Sequence, residues 1–309
     1  MGSLHISSTP HIHQKGSSTR NIMLDVVIAM LPATVAGIVI FGLKALFTVL
    51  ACVASAVAAE YVFNLCTHRK QTIGDLSAVV TGLLLALNLS TAVPLWQCAI
   101  GAIFAIVVVK CLFGGLGKNI VNPAITARVF MLLTFAKVVG APLINKVEIA
   151  AGATPLQALK DGKALPDLLD LLLGNYGGAI GETCAIALLI GFAYLVIRKV
   201  IKWYVPTAYV ATVFVLSFFF GGFELTYALQ SVLCGGLLLG AIFMATDYVT
   251  TPITNQGRVV FCVGAGILTV MIRQFTGYPE GVSIAILTMN LVTPFINDFT
   301  KKKTLGGIK

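Results

Sequence analysis

In Gly152-Ala153-Thr154-Pro155-Leu156 a threonine hydroxyl is flanked by Gly and Ala, with no bulky neighbour before it. A hydroxyl this bare can carry a covalent group delivered from solvent by a transferase. A second constellation, Gly114-Gly115-Leu116-Gly117-Lys118-Asn119, has glycines that allow close backbone approach and free N–H groups, suited to an anion or a carbonyl-rich ring. It is not a Walker loop, because the spacing to Lys118 is too short and no Ser or Thr follows. Alone it reads as an inter-helix turn. Joined to Asn119, Asn122 and Arg128 it reads as a donor-rich pocket for the uracil-like edge of a flavin or for a urea-sized solute.

Ionisable groups inside apolar runs form the third class: Asp25, Glu60, Lys110, Arg128, Glu182, Asp247, Arg273 and Asp298. A charge at the centre of a membrane helix costs roughly 2.5–3.5 kcal/mol, so such groups face a bundle interior or reach for the interface. Lys110 can snorkel, Asp298 abuts the lysine tail and Asp25 lies one turn after Arg20. Glu60, amid Ala58, Ala59 and Tyr61, has no such outlet. Neither has Asp247, where Thr246, Thr250 and Thr251 add hydroxyls to a carboxylate and so offer hard oxygen ligands to a small cation. Both read as ion-path candidates. No hydrolase-type nucleophile and base, no H-E-x-x-H and no metal-ligand cluster is visible, so electron chemistry would have to come from a cofactor. The seven cysteines stand singly, without C-x-x-C spacing, and read as small hydrophobes. His11 and His13 read as part of a solvated tail rather than a metal site.

The elements that must position these groups are membrane helices. Of 309 residues, 58% are hydrophobic and only 11% charged, and the mean hydropathy is +0.95, too apolar for one soluble core. The net charge of +9 comes from Lys and Arg beside hydrophobic segments, where they orient a chain in a bilayer; nucleic acid is not an expected partner. The fold class expected is an all-α polytopic membrane protein with ten spans, at 22–42, 43–66, 76–90, 94–113, 121–140, 178–199, 205–221, 226–245, 258–276 and 281–299. His68-Arg69-Lys70, Lys118, Arg198-Lys199, Lys202, Arg258 and Lys301-Lys302-Lys303 then fall on the inner side, with both termini. The domains expected are a cytoplasmic arm at 1–20, one transmembrane domain at 21–299 with halves at 21–140 and 178–299, an outer loop at 141–177 that carries Thr154, and a basic tail at 300–309.

The halves echo each other. Asn122-Pro123-Ala124-Ile125-Thr126-Ala127-Arg128-Val129-Phe130 and Thr251-Pro252-Ile253-Thr254-Asn255-Gln256-Gly257-Arg258-Val259-Val260-Phe261 each run from a polar residue and Pro to Arg and a hydrophobe. Broken backbone at membrane depth is tolerated only inside protein, so both stretches are expected to line a cavity between repeats; two unrelated cytoplasmic turns are the alternative. Five spans per half would make the repeats inverted.

Three of these motifs, Gly114 to Phe130, Ala151 to Leu156 and Met244 to Pro252, resemble the RnfD and NqrB family. Tyr278-Pro279-Glu280-Gly281-Val282 and Met289-Asn290-Leu291 add to the resemblance, which runs from about Arg20 to Asp298, and the compact length is most like the RnfD branch. That family comprises membrane flavoprotein subunits of ion-translocating ferredoxin:NAD and NADH:quinone oxidoreductases. The resemblance implies FMN on Thr154 through a phosphoester, attached by a flavin transferase, with Gly152 and Ala153 shaping the turn. Glu148 and Ala151 depart from the usual family residues before it. It implies a second, non-covalent flavin, riboflavin in relatives, near Asn119 and Asn122, with Arg128, Thr246, Asp247 and Thr250 as further cofactor contacts. Glu60, Asp247 and Asp298 match acidic positions linked to cation uptake. It also implies a fold similar to urea transporters and a one-electron relay coupled to Na+ or H+ movement in a bacterial or archaeal cytoplasmic membrane. The partners implied are a second covalent-flavin subunit and membrane and iron–sulfur subunits, since this chain has neither cluster cysteines nor a dinucleotide fingerprint. A passive solute channel and a structural scaffold are the rival readings.

Overall fold

The computed structural model describes residues 18–136, 155–161, 167–174, 176–276 and 280–301. Every regular element among the described residues is helical: α1 Thr19–Phe41, α2 Leu43–Cys66, α3 Ser77–Leu87, α4 Leu95–Phe104, α5 Pro123–Thr134, α6 Pro155–Lys160, α7 Leu168–Leu173, α8 Ala185–Ile197, α9 Tyr204–Phe220, α10 Leu225–Leu233, α11 Leu237–Leu239, α12 Asn255–Phe275 and α13 Val282–Thr300. α4 runs on as a π-helix, Ala105–Cys111, and α11 as another, Gly240–Met244. π-Bulges of this kind recur at functional sites.

Among the described residues four helices are long and apolar enough to cross a bilayer: α1, α2, α12 and α13. A fifth span results if α10 and the α11 segment, bent by 64°, count as one. The remaining apolar helices are shorter, and the run expected at 178–199 becomes a helix only at Ala185. Residues 176–184 form a non-helical connection instead. Its backbone is satisfied by α3, with Ile180 N donating to Leu89 O (3.0 Å) and Gly181 N to Leu87 O (2.8 Å). Interrupted backbone buried this way has its polar groups met by protein rather than lipid.

Each half packs mainly on itself: α2 lies on α3 and α4, while α9 and α13 flank α12. Two seams join the halves, α1 against α8 and α5 against α13, so the first and last helices of one half meet their counterparts in the other. The α1–α8 seam needs a small residue, because a Cβ at Gly191 would strike the carbonyl oxygen of Ala29. Small residues let helix backbones approach where no solvent drives association. Arg198 closes the same seam, its Nε and Nη2 donating to the Asp25 carboxylate at 3.2 and 3.3 Å, and Tyr194 OH adds a bond of 2.9 Å. Asp25 is thus held by the second half, not by Arg20. Large apolar side chains such as Val39, Leu43 and Phe299 stay exposed, as on a lipid-facing surface.

Candidate functional site

The two echoed loops start helices in the same way. After the first π-helix the chain turns through Gly114, Gly115 and Gly117, all at positive φ (111°, 95° and 89°), which L side chains resist. It then enters α5 under a cap in which Asn122 Oδ1 accepts from Ala124 N (3.0 Å) and Ile125 N (3.3 Å), with Pro123 at the first position. After the second π-helix, residues 245–254 lead to α12, where Thr254 Oγ1 accepts from Gly257 N at 3.0 Å.

The loops meet. With its amide oriented to satisfy both neighbours, Asn290 donates from Nδ2 to Thr250 O (3.2 Å) and accepts at Oδ1 from Asn122 N (3.1 Å). Thr293 Oγ1 donates to the same carbonyl at 3.0 Å. One face of α13 therefore ties loop to loop. Beside this junction lies a cavity, open to solvent, lined by Ser77, Lys110, Asn119, Asn122, Thr246 and Asp247 against apolar walls that include Val26, Leu195, Ile242 and Phe243. Apolar walls with a few placed polar groups are the usual make-up of a cofactor or small-molecule site.

Within the second loop, Thr246 Oγ1 donates to Ile242 O (2.6 Å), and Asp247 accepts from Val249 N (3.2 Å) and Thr250 Oγ1 (3.0 Å). Burial pushes the Asp247 carboxyl up from its ordinary range, opposed by those two hydrogen bonds. The hydroxyl of Thr250 is buried and spent on Asp247, so it shapes the loop rather than facing the cavity.

Glu60 is buried on α2 with Lys110 of the first π-helix as its partner, Nζ lying 3.0 and 2.9 Å from the two carboxylate oxygens. Ser77 Oγ accepts from the same ammonium (2.5 Å), and Thr72 Oγ1 donates to Glu60 Oε1 (2.5 Å). Lys110 was expected to snorkel to the interface. Instead it turns inward, because a carboxylate and a hydroxyl at the start of α3 satisfy its charge inside the bundle. Lys110 and Asp247 both line the cavity, while Glu60 lies behind Lys110 and does not.

Arg128 was expected beside Asn119 and Asn122, but it lines a different cavity with Asn88 and Glu182 and pairs through Nη2 with Glu280 Oε2 at 2.8 Å. It lies six residues after the cap, more than a turn and a half along α5. Asp298 stands apart too, exposed at the end of α13 and paired with Lys301 (2.5 Å), so the three acidic candidates do not converge. Gly152, Ala153 and Thr154 lie outside the described residues. The helix after them, α6, presses buried Pro155, Leu156 and Leu159 onto the bundle. Leu156, Lys160, Tyr227, Ser231, Arg273 and Gln274 enclose a small pocket there.

Sequence reasoning did not assign Lys110 to Glu60, nor Asn290 to the loops. The signals were present: a carboxylate in an apolar helix needs a counter-charge from the same half, and an Asn amid apolar neighbours in the last span needs hydrogen-bond partners.

Residues 5–306 match the model of the NQR2, RnfD, RnfE family. The chain is 43% identical to the D subunit of the Na(+)-translocating ferredoxin:NAD(+) oxidoreductase complex of Acetobacterium woodii, over 99% of this chain and 96% of that protein. It is 39% identical to the D subunit of the proton-translocating ferredoxin:NAD(+) oxidoreductase complex of Clostridium ljungdahlii, over 97% and 96%. It is 34% identical to the D subunit of the ion-translocating oxidoreductase complex of Methanosarcina acetivorans, over 100% and 99%.

Proposed function

Because this chain belongs to the NQR2, RnfD, RnfE family, we propose that it is the D subunit of an ion-translocating ferredoxin:NAD+ oxidoreductase, relaying electrons within the membrane while Na+ or H+ is moved. Its carriers are FMN esterified to Thr154 and a second flavin, riboflavin, in the cavity between the two loops. Bound flavins would supply one-electron chemistry that no side chain here can provide. The other parts follow from the chain's own residues. Thr154 contributes the ester oxygen, and α6, which follows it in the chain, packs on the bundle through Pro155 and Leu156. Asn119 and Asn122 with Thr246 and Asp247 offer amide, hydroxyl and carboxylate contacts to a polar ring edge, while Val26, Leu195 and Phe243 offer an apolar face and exclude water. Asp247 and the Glu60–Lys110 pair, at the same cavity, place ionisable groups where a cation path can respond to the charge of its occupant; Asp298 would serve at the entrance.

The observation that carries this reading is the cavity itself, where Asn122 of the first echoed stretch meets Thr246 and Asp247, which lie just before the second; residues 251–261 themselves do not line it, contrary to expectation. The seams α1 with α8 and α5 with α13 support a two-fold relation between the halves; five spans in each would make them the inverted repeats of a ten-span fold of the urea-transporter kind, and the basic loops favour both termini inside and Thr154 outside. The setting is a bacterial or archaeal cytoplasmic membrane. The partners are the other subunits of the complex, including a second covalent-flavin subunit and membrane and iron–sulfur subunits, together with a flavin transferase that loads Thr154.

Denaturing electrophoresis of the isolated complex with flavin fluorescence tests the assignment. A fluorescent band of this protein that disappears in Thr154→Ala, with an FMN adduct on the residue-154 peptide by mass spectrometry, is the expected result. A dark native band with Thr154 unmodified would return the protein to the class of solute channels.

A further inference from the structure

The cavity that took Arg128 away from the flavin site has a use of its own. It is small, with room for about one water, and is lined by Asn88, Arg128, Glu182, Glu280 and Ser283. The Arg128 side chain is 4% exposed, and although Nη2 is paired with Glu280, Nε and Nη1 have no partner among the described residues. A guanidinium cannot shed its charge, and leaving its buried N–H groups unmade is costly. Acceptors must therefore come from what fills the cavity, and water between several polar side chains meets that need. Glu280, one-third exposed, stands at the mouth.

Glu182 faces this space from the connection before α8. It is 6% exposed, and its Oε2 accepts a hydrogen bond from Ala179 N at 3.3 Å. It makes no ion pair among the described residues. Its backbone is fixed, since the neighbouring N–H groups are bonded to the end of α3 and Tyr176 OH donates to its carbonyl at 3.2 Å. The charged and titratable groups around it are Arg128 on α5, Glu280 before α13, Arg273 on α12, Cys234 after α10 and Tyr176 on its own segment. Arg273 bonds Ser231 and the carbonyls of Cys234 and Glu280, all neutral acceptors, so it and Arg128 both favour a Glu182 carboxylate, while Arg128 alone of the two lines this cavity.

We propose that Glu182 is a proton-exchange site, its carboxyl releasing a proton to water held in this cavity by Arg128 and recovering it from the Glu280 mouth. In release the O–H bond of the carboxyl breaks and the proton passes to cavity water. The carboxylate left behind is stabilised by Arg128, and uptake reverses the step with no change of redox state. The site is separate from the flavin cavity and does not depend on flavin loading.

A hydrophobic carbodiimide, which attacks protonated carboxyls, tests this on the intact complex in membranes. The residue-182 peptide should carry the adduct at neutral pH, and labelling should fall as the pH rises. Arg128→Met should move the half-labelling point up by about one to three pH units, the usual effect of removing a neighbouring cation from a carboxylate. A protonated-carboxyl infrared band that shifts in D2O and is missing from Glu182→Gln would supply the second readout. Absence of an adduct at residue 182 from acid to alkaline pH, or a band that D2O does not reach, would overturn the proposal, and wild-type protein alone suffices for both.

Discussion

Lys110 places its ammonium nitrogen 2.9 Å and 3.0 Å from the two carboxylate oxygens of Glu60, with both side chains almost wholly buried. Two charges out of water are tolerable together and costly apart. The ammonium also holds the place that a small cation would take beside Glu60, because Ser77 Oγ and Glu60 supply the oxygens around it.

Removing one partner of this pair leaves the other as an uncompensated buried charge. Glu60→Gln is expected to cost about 3–5 kcal/mol. The double substitution Glu60→Gln with Lys110→Met should recover most of that loss. Apparent unfolding midpoints of the detergent-solubilised single and double variants check the coupling; equal, additive losses would show that the pair is not a unit.

Asn290 joins the two loops, so replacing it should loosen both. Asn290→Leu leaves the N–H of Asn122 without its acceptor and removes one of two donors to Thr250 O, at about 1–3 kcal/mol per buried group left unmade. Because these loops wall the cavity, a flavin held there as proposed should be lost, so that extractable non-covalent flavin falls while any flavin attached at Thr154 stays constant. Acid extraction followed by chromatography measures the first, and in-gel fluorescence the second.

The seam between α1 and α8 depends on the absence of a side chain at residue 191. Gly191→Val would drive a branched side chain into the backbone of Ala29, and overpacking of this kind typically costs about 1–3 kcal/mol. Gly74→Ala is the control, since a Cβ there meets nothing within 4 Å and its backbone is not left-handed. The valine variant should unfold at a lower temperature, with the alanine variant indistinguishable from wild type.

How far the sequence reaches can be seen at particular residues. The all-helical class and the long spans α1, α2, α12 and α13 follow from apolar runs of sufficient length, and the two echoed turns were legible because Pro and a polar cap punctuate a helix start. The 178–199 run was read too long because periodicity cannot tell a membrane helix from buried, non-helical chain whose hydrogen bonds are met by Leu87 and Leu89. Arg128 was grouped with Asn119 and Asn122 by nearness in sequence, whereas helical rise carries it to another cavity. The inward turn of Lys110 was hidden because its partner lies fifty residues earlier, on another helix.

Asp298 and Glu60 differ in burial, and that difference separates a role in ion entry from a role in holding the fold. The Asp298–Lys301 pair is about 70% exposed on both sides, and exposed pairs of this kind contribute little to stability. Asp298→Asn should therefore leave the unfolding midpoint where it is. If the carboxylate serves at the entrance of a cation path, the same variant should still raise the Na+ or H+ concentration needed for half-maximal turnover of the complex. Glu60→Gln should instead change midpoint and turnover together. A neutral Asp298→Asn in both measurements would remove residue 298 from the path and leave Asp247, which lines the cavity, and Glu60, which is joined to it through Lys110, as its acidic members.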